Sequence, residues 1–287
     1  MQRQQGMRWL RQHPILCYLV VTYGVTWAAW GSLAAAGHVV TVGFVPTYWL
    51  GLLGPLIGAV VTSAIVARGD GVRDLGARMV RGRVGSRWWA IALGLPLGVA
   101  FVTYAGAWIV ATFGFGFATG RDYGAFNGFP ATSPLALWVM LIVVNGFGEE
   151  TGWRGFLLPH LQRRWSPLTS SLIVGVCWAV WHIPAFFITE TYRQMPVAVI
   201  PMFFVGLVSG SVFLTWLYNR GGSSILLVAV WHGTYNWLSG SVGARGALAA
   251  IETTVVMIVA GVLLVQELRA TRREHGGHPA RHVMAAR

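Results

Sequence analysis

Glu149 and Glu150 stand side by side in Gly148-Glu149-Glu150-Thr151-Gly152-Trp153-Arg154-Gly155. Farther along, His182 closes Trp178-Ala179-Val180-Trp181-His182, and His232 opens His232-Gly233-Thr234-Tyr235-Asn236. Carboxylates and imidazoles are the side chains best suited to moving a proton on and off a reacting group. On a helix, residues four apart share a face, so Glu150 pairs with Arg154, Trp178 lies over His182, and His232 lies over Asn236. Glu149 is turned about 100° from Glu150 and has no cation on its own face. That leaves it suited to take a proton from water. Each group alone also has a purely structural reading: a salt bridge pinning two helices, or a histidine in an interhelical hydrogen bond. Together they are best buried as one shared polar site, catalytic or ion-handling.

The elements that hold these groups are set by composition. Of 287 residues, 55% are hydrophobic and 10% are charged, against about 25% charged in an average soluble domain. Mean hydropathy is +0.59. This excludes a disordered chain, a nucleic-acid-binding domain and a disulfide-stapled module, and leaves an all-α, polytopic integral membrane protein. A span needs about 20 mostly apolar residues. Eight stretches qualify, at 15–36, 48–67, 88–113, 135–160, 169–188, 196–218, 224–240 and 247–268. The expected organisation is a cytoplasmic segment 1–14, one eight-helix domain 15–268 around an intramembrane polar cavity, and a basic, disordered tail 269–287. The first span is read as uncleaved, although Ala34-Ala35-Ala36 resembles a signal cleavage site.

The arginines test this layout. All 21 basic residues are Arg, and inner loops are enriched in them. With the N-terminus inside, Arg3, Arg8, Arg11, Arg68, Arg73, Arg78, Arg81, Arg83, Arg87, Arg163, Arg164, Arg220, Arg269, Arg272, Arg273, Arg281 and Arg287 fall on the inner side. Arg121, Arg193 and Arg245 fall outside, and Arg154 lies within a span. The net charge of +12 is therefore a topology signal facing anionic lipid. It places both termini in the cytoplasm and implies no nucleic-acid partner. Residues 68–87 form a Gly- and Arg-rich connection able to make a short amphipathic helix.

Other polar residues read as bystanders. Glu252 is expected near the outer end of the last span, facing water or headgroups. His38, Asp122 and Glu190 fall in loops, and His160 at an inner helix end. His275, His278 and His282 belong to the tail. Cys17 and Cys177 are packing residues. Gly51, Gly54 and Gly58 mark a close helix contact.

Glu149-Glu150-x-x-x-Arg154, Trp178-x-x-x-His182 and His232-x-x-x-Asn236 resemble, in this order, the motifs EExxxR, FxxxH and HxxxN/D of the CPBP family of intramembrane peptidases. That family includes type II CAAX prenyl endopeptidases and the bacteriocin-processing and self-immunity (Abi) proteins. The resemblance implies a helical fold with a cavity open to the cytoplasmic side and the lipid. Carried over residue by residue, it makes Glu149 the general base and His182 the residue that holds water with it. His232 and Asn236 stabilise the oxyanion, and Glu150 and Arg154 support the site. Trp178 stands where the family has Phe, keeping an aromatic ring against His182. The expected substrate is a membrane-associated peptide or lipid-modified protein entering from the membrane or the cytoplasmic side. The Arg-only, Ala/Gly-rich composition suggests a bacterial plasma membrane. No cofactor is expected; the alternative is a zinc ion on Glu149, His182 and His232, although the helical HExxH arrangement is missing. The competing functions are a non-catalytic immunity or scaffold protein of the same fold and a proton-coupled transporter.

Overall fold

The computed structural model describes residues 9–113, 122–244, 246–275 and 282–286. It is built from helices: α1 (Pro14–Ala35), α2 (Pro46–Leu52), α3 (Gly54–Met79), α4 (Ser86–Thr112), α5 (Pro134–Gln162), α6 (Pro167–Trp181), the single turns α7 (Ala185–Ile188) and α8 (Glu190–Arg193), α9 (Ile200–Arg220), α10 (Ile225–Gly240) and α11 (Ala247–His275). The extended backbone among the described residues amounts to two isolated bridges, Val40–Thr189 and Val42–Asn127.

Six helices are long and apolar enough to cross a membrane, and α2 with the first part of α3, bent by 53°, makes a seventh when counted as one span. The chain is an integral, multi-pass membrane protein. An eighth span at 224–240 is not confirmed. The helix is there, but α10 has only 16 residues, a rise of about 24 Å against a hydrocarbon core of about 30 Å. Large apolar side chains on the outer faces are exposed, among them Phe101, Trp108, Val143, Val176, Ile258 and Val262, as lipid contact requires.

Helix boundaries follow local chemistry. Ser133-Pro134 and Ser166-Pro167 start α5 and α6 alike: the serine hydroxyl accepts from the amide three residues on, and proline occupies the first helical position, where no amide is needed. Ser224 caps α10 in the same way, accepting from Leu227 at 3.0 Å. The glycines predicted to sit at a tight contact do so, since a Cβ at Gly54 or Gly58 would strike Thr26 or Thr22 of α1. Trp181 and Thr26 tie α6 to this corner: Trp181 Nε1 donates to Thr26 Oγ1, which donates to the carbonyl of Gly51.

Two expectations change at the basic end. The connection at 68–87 is not a separate amphipathic helix, because α3 runs unbroken to Met79. Arg78 at its end donates to the carbonyl of Gly155 and the hydroxyl of Tyr218. Arg78, Arg81 and Arg163 line one cavity of about 710 Å³ with Asp70, Asp74 and His160, so these members of the predicted inner set share a side. Arg3, Arg8, Arg121, Arg245, Arg281, Arg287, His278 and the side chain of His275 lie outside the described residues. Within the predicted tail, α11 continues to His275, and residues 282–286 pack back with Met284 fully buried.

Candidate active site

α5 is not a regular helix. Two π-helical segments, Ile142–Gly146 and Trp153–Leu157, flank the α-helical turn Phe147–Gly152 that carries both glutamates. Such widened turns shift the register of the side chains that follow, and they recur at functional sites. α10 packs along the first of them, and the approach depends on glycine from both sides. A Cβ on Gly146 would lie 2.4 Å from the carbonyl oxygen of Ala229, and one on Gly233 would lie 2.6 Å from Ile142. This contact brings His232 to the glutamates.

Glu149, Glu150, Arg154, His182 and His232 are all buried. Arg154 Nη1 donates to Glu150 Oε1 at 3.0 Å, the pair predicted from spacing, with both side chains fully buried. The same oxygen lies 2.7 Å from His232 Nδ1. A carboxylate oxygen only accepts, so Nδ1 carries its proton here and Nε2 faces Glu149, 3.9 Å from Oε1. Glu149 has no partner along its own helix, as its spacing implied. Its partner comes from α6, where Trp178 Nε1 donates to Glu149 Oε2 at 2.6 Å.

His182 owes its place to Pro184, which ends α6. The amide of His182 bonds to Ala179 rather than continuing the helical ladder. The carbonyl of Trp178 is instead met by His182 Nδ1 at 2.8 Å. A carbonyl also only accepts, so Nδ1 is the protonated nitrogen and Nε2 offers a lone pair. Trp178 meets His182 and His232 edge-on, with ring centroids 5.7 and 5.5 Å away. Asn236 lies one turn beyond His232 on α10, half-buried, and makes no hydrogen bond among the described residues.

Among the described residues, no three His, Cys, Asp or Glu side chains converge as a metal ion requires. With His232 Nδ1 on Glu150 and Glu149 Oε2 on the indole, the atoms of this pair left toward each other are His232 Nε2 and Glu149 Oε1, 3.9 Å apart.

Glu252 departs from its prediction. It does not face water: it is 1% exposed, on the face of α11 shared with Leu248, Val256 and Ala260, which packs toward the other helices. A hydropathy reading locates a residue along a span but not around it. Sequence reasoning also missed two tyrosines. Tyr48 on α2, buried, and Tyr192 on α8, half-buried, stand within electrostatic reach of Glu149. Both arrive on a cap laced across distant segments: Val40 bonds to Ile188 and Glu190, the amide of Gly128 donates to the Thr41 carbonyl, and Asn127 donates to Thr191. No spacing rule links them to Glu149.

Residues 131–238, which contain all three motifs, match the family described as Rce1-like, type II CAAX prenyl endopeptidase. Over that stretch the chain is similar to the Rce1-like family. It is also similar to the CAAX prenyl protease 2 of Methanococcus maripaludis, 25% identical over 145 residues, or 49% of this chain and 54% of that protein. The chain thus spans about half the length of the curated relative it matches. The matched segment runs from just before α5 to the last turns of α10, the stretch holding the glutamates and both histidines.

Proposed function

We propose that this chain is an intramembrane endopeptidase of the CAAX-protease type, hydrolysing a peptide bond in a membrane-associated peptide or lipid-modified protein. The observation that carries the reading is the buried carboxylate of Glu149, held by one oxygen on the Trp178 indole with the other turned toward His232. Glu149 takes a proton from water while the Nε2 lone pair of His182 holds that water, and the water oxygen attacks the scissile carbonyl carbon. His232 and Asn236 donate to the oxyanion. For His232 this requires a proton on Nε2 in addition to the one Nδ1 shares with Glu150. Collapse of the tetrahedral intermediate breaks the C–N bond, and Glu149 returns its proton to the leaving amine. No metal enters these steps, so activity is expected to survive chelation after purification. Loss on chelation with recovery on added zinc would overturn the metal-free scheme.

The basic loops are proposed to face the cytoplasm and anionic lipid, with both termini inside. The test of the activity is a comparison of membrane peptides by mass spectrometry in cells making the wild type, Glu149→Ala or His182→Ala. Cleavage products present with the wild type and missing with both variants are expected. Unchanged products in both would sink the peptidase reading.

A further inference from the structure

Trp178 touches Glu149, Arg154 and both histidines of the site. Its Nε1–H donates to Glu149 Oε2 at 2.6 Å, and Arg154 Cζ stands 5.0 Å from its ring centroid. Its ring edges meet His182 and His232. The indole comes from α6 and the glutamate from α5, so this bond joins two helices at the proposed general base. Gly210 of α9 lies against the ring, where a Cβ would make an ordinary van der Waals contact with Trp178 Cζ3 at 3.5 Å. A phenylalanine could fill much of the same space but has no N–H. The acceptor is a carboxylate, which places the bond in the charge-assisted class. With Oε2 so held, Oε1 is the oxygen presented toward His232, 3.9 Å from its Nε2.

We infer that Trp178 is a positioning residue: its indole N–H fixes the Glu149 carboxylate by Oε2 so that Oε1 is aimed for proton transfer. The catalytic consequence rests on the peptidase reading above; the hold on Glu149 does not. The carboxylate is aimed by a side chain from another helix, at a position where aromatic packing alone would satisfy the fold.

Two measurements on the purified full chain test this. In the first, the indole nitrogens are 15N-labelled and the Trp178 resonance is assigned by its loss in Trp178→Phe. Glu149→Ala is expected to shift that resonance upfield while resonances of tryptophans remote from the site stay in place. In the second, an internally quenched peptide ending in a farnesylated CAAX sequence serves as probe. Trp178→Phe should lower kcat about tenfold with KM unchanged, the size expected for one lost hydrogen bond to a charged group. Replacing Trp178 with 3-benzothienylalanine, which keeps the ring shape and lacks the N–H, should do the same. A Trp178 resonance indifferent to Glu149→Ala, or a benzothienylalanine variant with wild-type kcat, overturns the inference. A probe left uncut by the wild type while the resonance still responds counts against the peptidase reading and leaves the hold on Glu149 standing.

Discussion

Glu150 Oε1 accepts from both Arg154 and His232, so one atom joins the support of the site to a residue proposed to act on substrate. All three side chains are buried, and removing one partner of a buried ion pair costs about 3–5 kcal/mol. Arg154→Ala and Glu150→Gln are therefore both expected to lower the thermal midpoint in detergent, because each leaves the other charge of the pair buried without its counter-charge. Wild-type midpoints in both variants would contradict this. Asn236 is the opposite case. It is half-buried and makes no hydrogen bond among the described residues, so Asn236→Ala should leave the midpoint in place. As an oxyanion donor its loss should lower kcat about 100-fold or more, read as product formation at saturating probe. The chemistry of these residues was legible in the sequence because spacing along one helix reveals same-face pairs such as Glu150 with Arg154. The bond from Trp178 to Glu149 was not legible, because it crosses between helices and hydropathy reads indole as another apolar ring.

At the scale of elements, the site depends on how closely α5 and α10 approach. Gly146 and Gly233 face each other's helices with no space for a methyl group, and the atoms in the way are backbone at Ala229 and Ile142. Backbone cannot swing aside as a flexible side chain can. Gly146→Val or Gly233→Val is expected to force the helices apart, to lower the thermal midpoint, and to separate His232 Nδ1 from Glu150. Gly261→Val is the control: it lies on α11 with nothing within 4 Å of its Cβ position, and it should leave the midpoint near wild type. An unchanged midpoint in Gly146→Val would show the contact to be softer than drawn. Hydropathy found the long helices because length and apolarity are properties of one segment. The shortness of α10 was legible, since the stretch 224–240 is already brief for a span, but the π-helical turns flanking the glutamates were hidden, since they are settled by packing against neighbours. The orientation of Glu252 was hidden for the same reason.

At the scale of the whole molecule, the segment after α11 is joined to the bundle through a histidine. His282 places Nδ1 2.8 Å from Glu267 and Nε2 2.8 Å from Glu274. Glu267 also accepts from the amides of Val283 and Met284. Asn219 and Arg220 at the end of α9 donate to carbonyls of residues 282–284. Only an imidazolium can donate from both ring nitrogens. The hydrogen bonds to Glu274 first and to Glu267 raise the pKa of His282 above its ordinary value. A group whose docked pKa is raised contributes stability that is fully present below its free pKa, and the contribution is lost as pH rises through the docked value. The segment should therefore hold fast in mildly acidic solution and loosen as the medium becomes alkaline. Hydrogen–deuterium exchange at Val283 and Met284, corrected for the intrinsic pH dependence of amide exchange, is expected to show protection falling as pH rises. His282→Gln should have lower protection at acidic pH and little change with pH. Protection in the wild type that stays level across the same range would assign the docking to Arg220, Asn219 and the buried Met284 side chain, with no part for the histidine's charge.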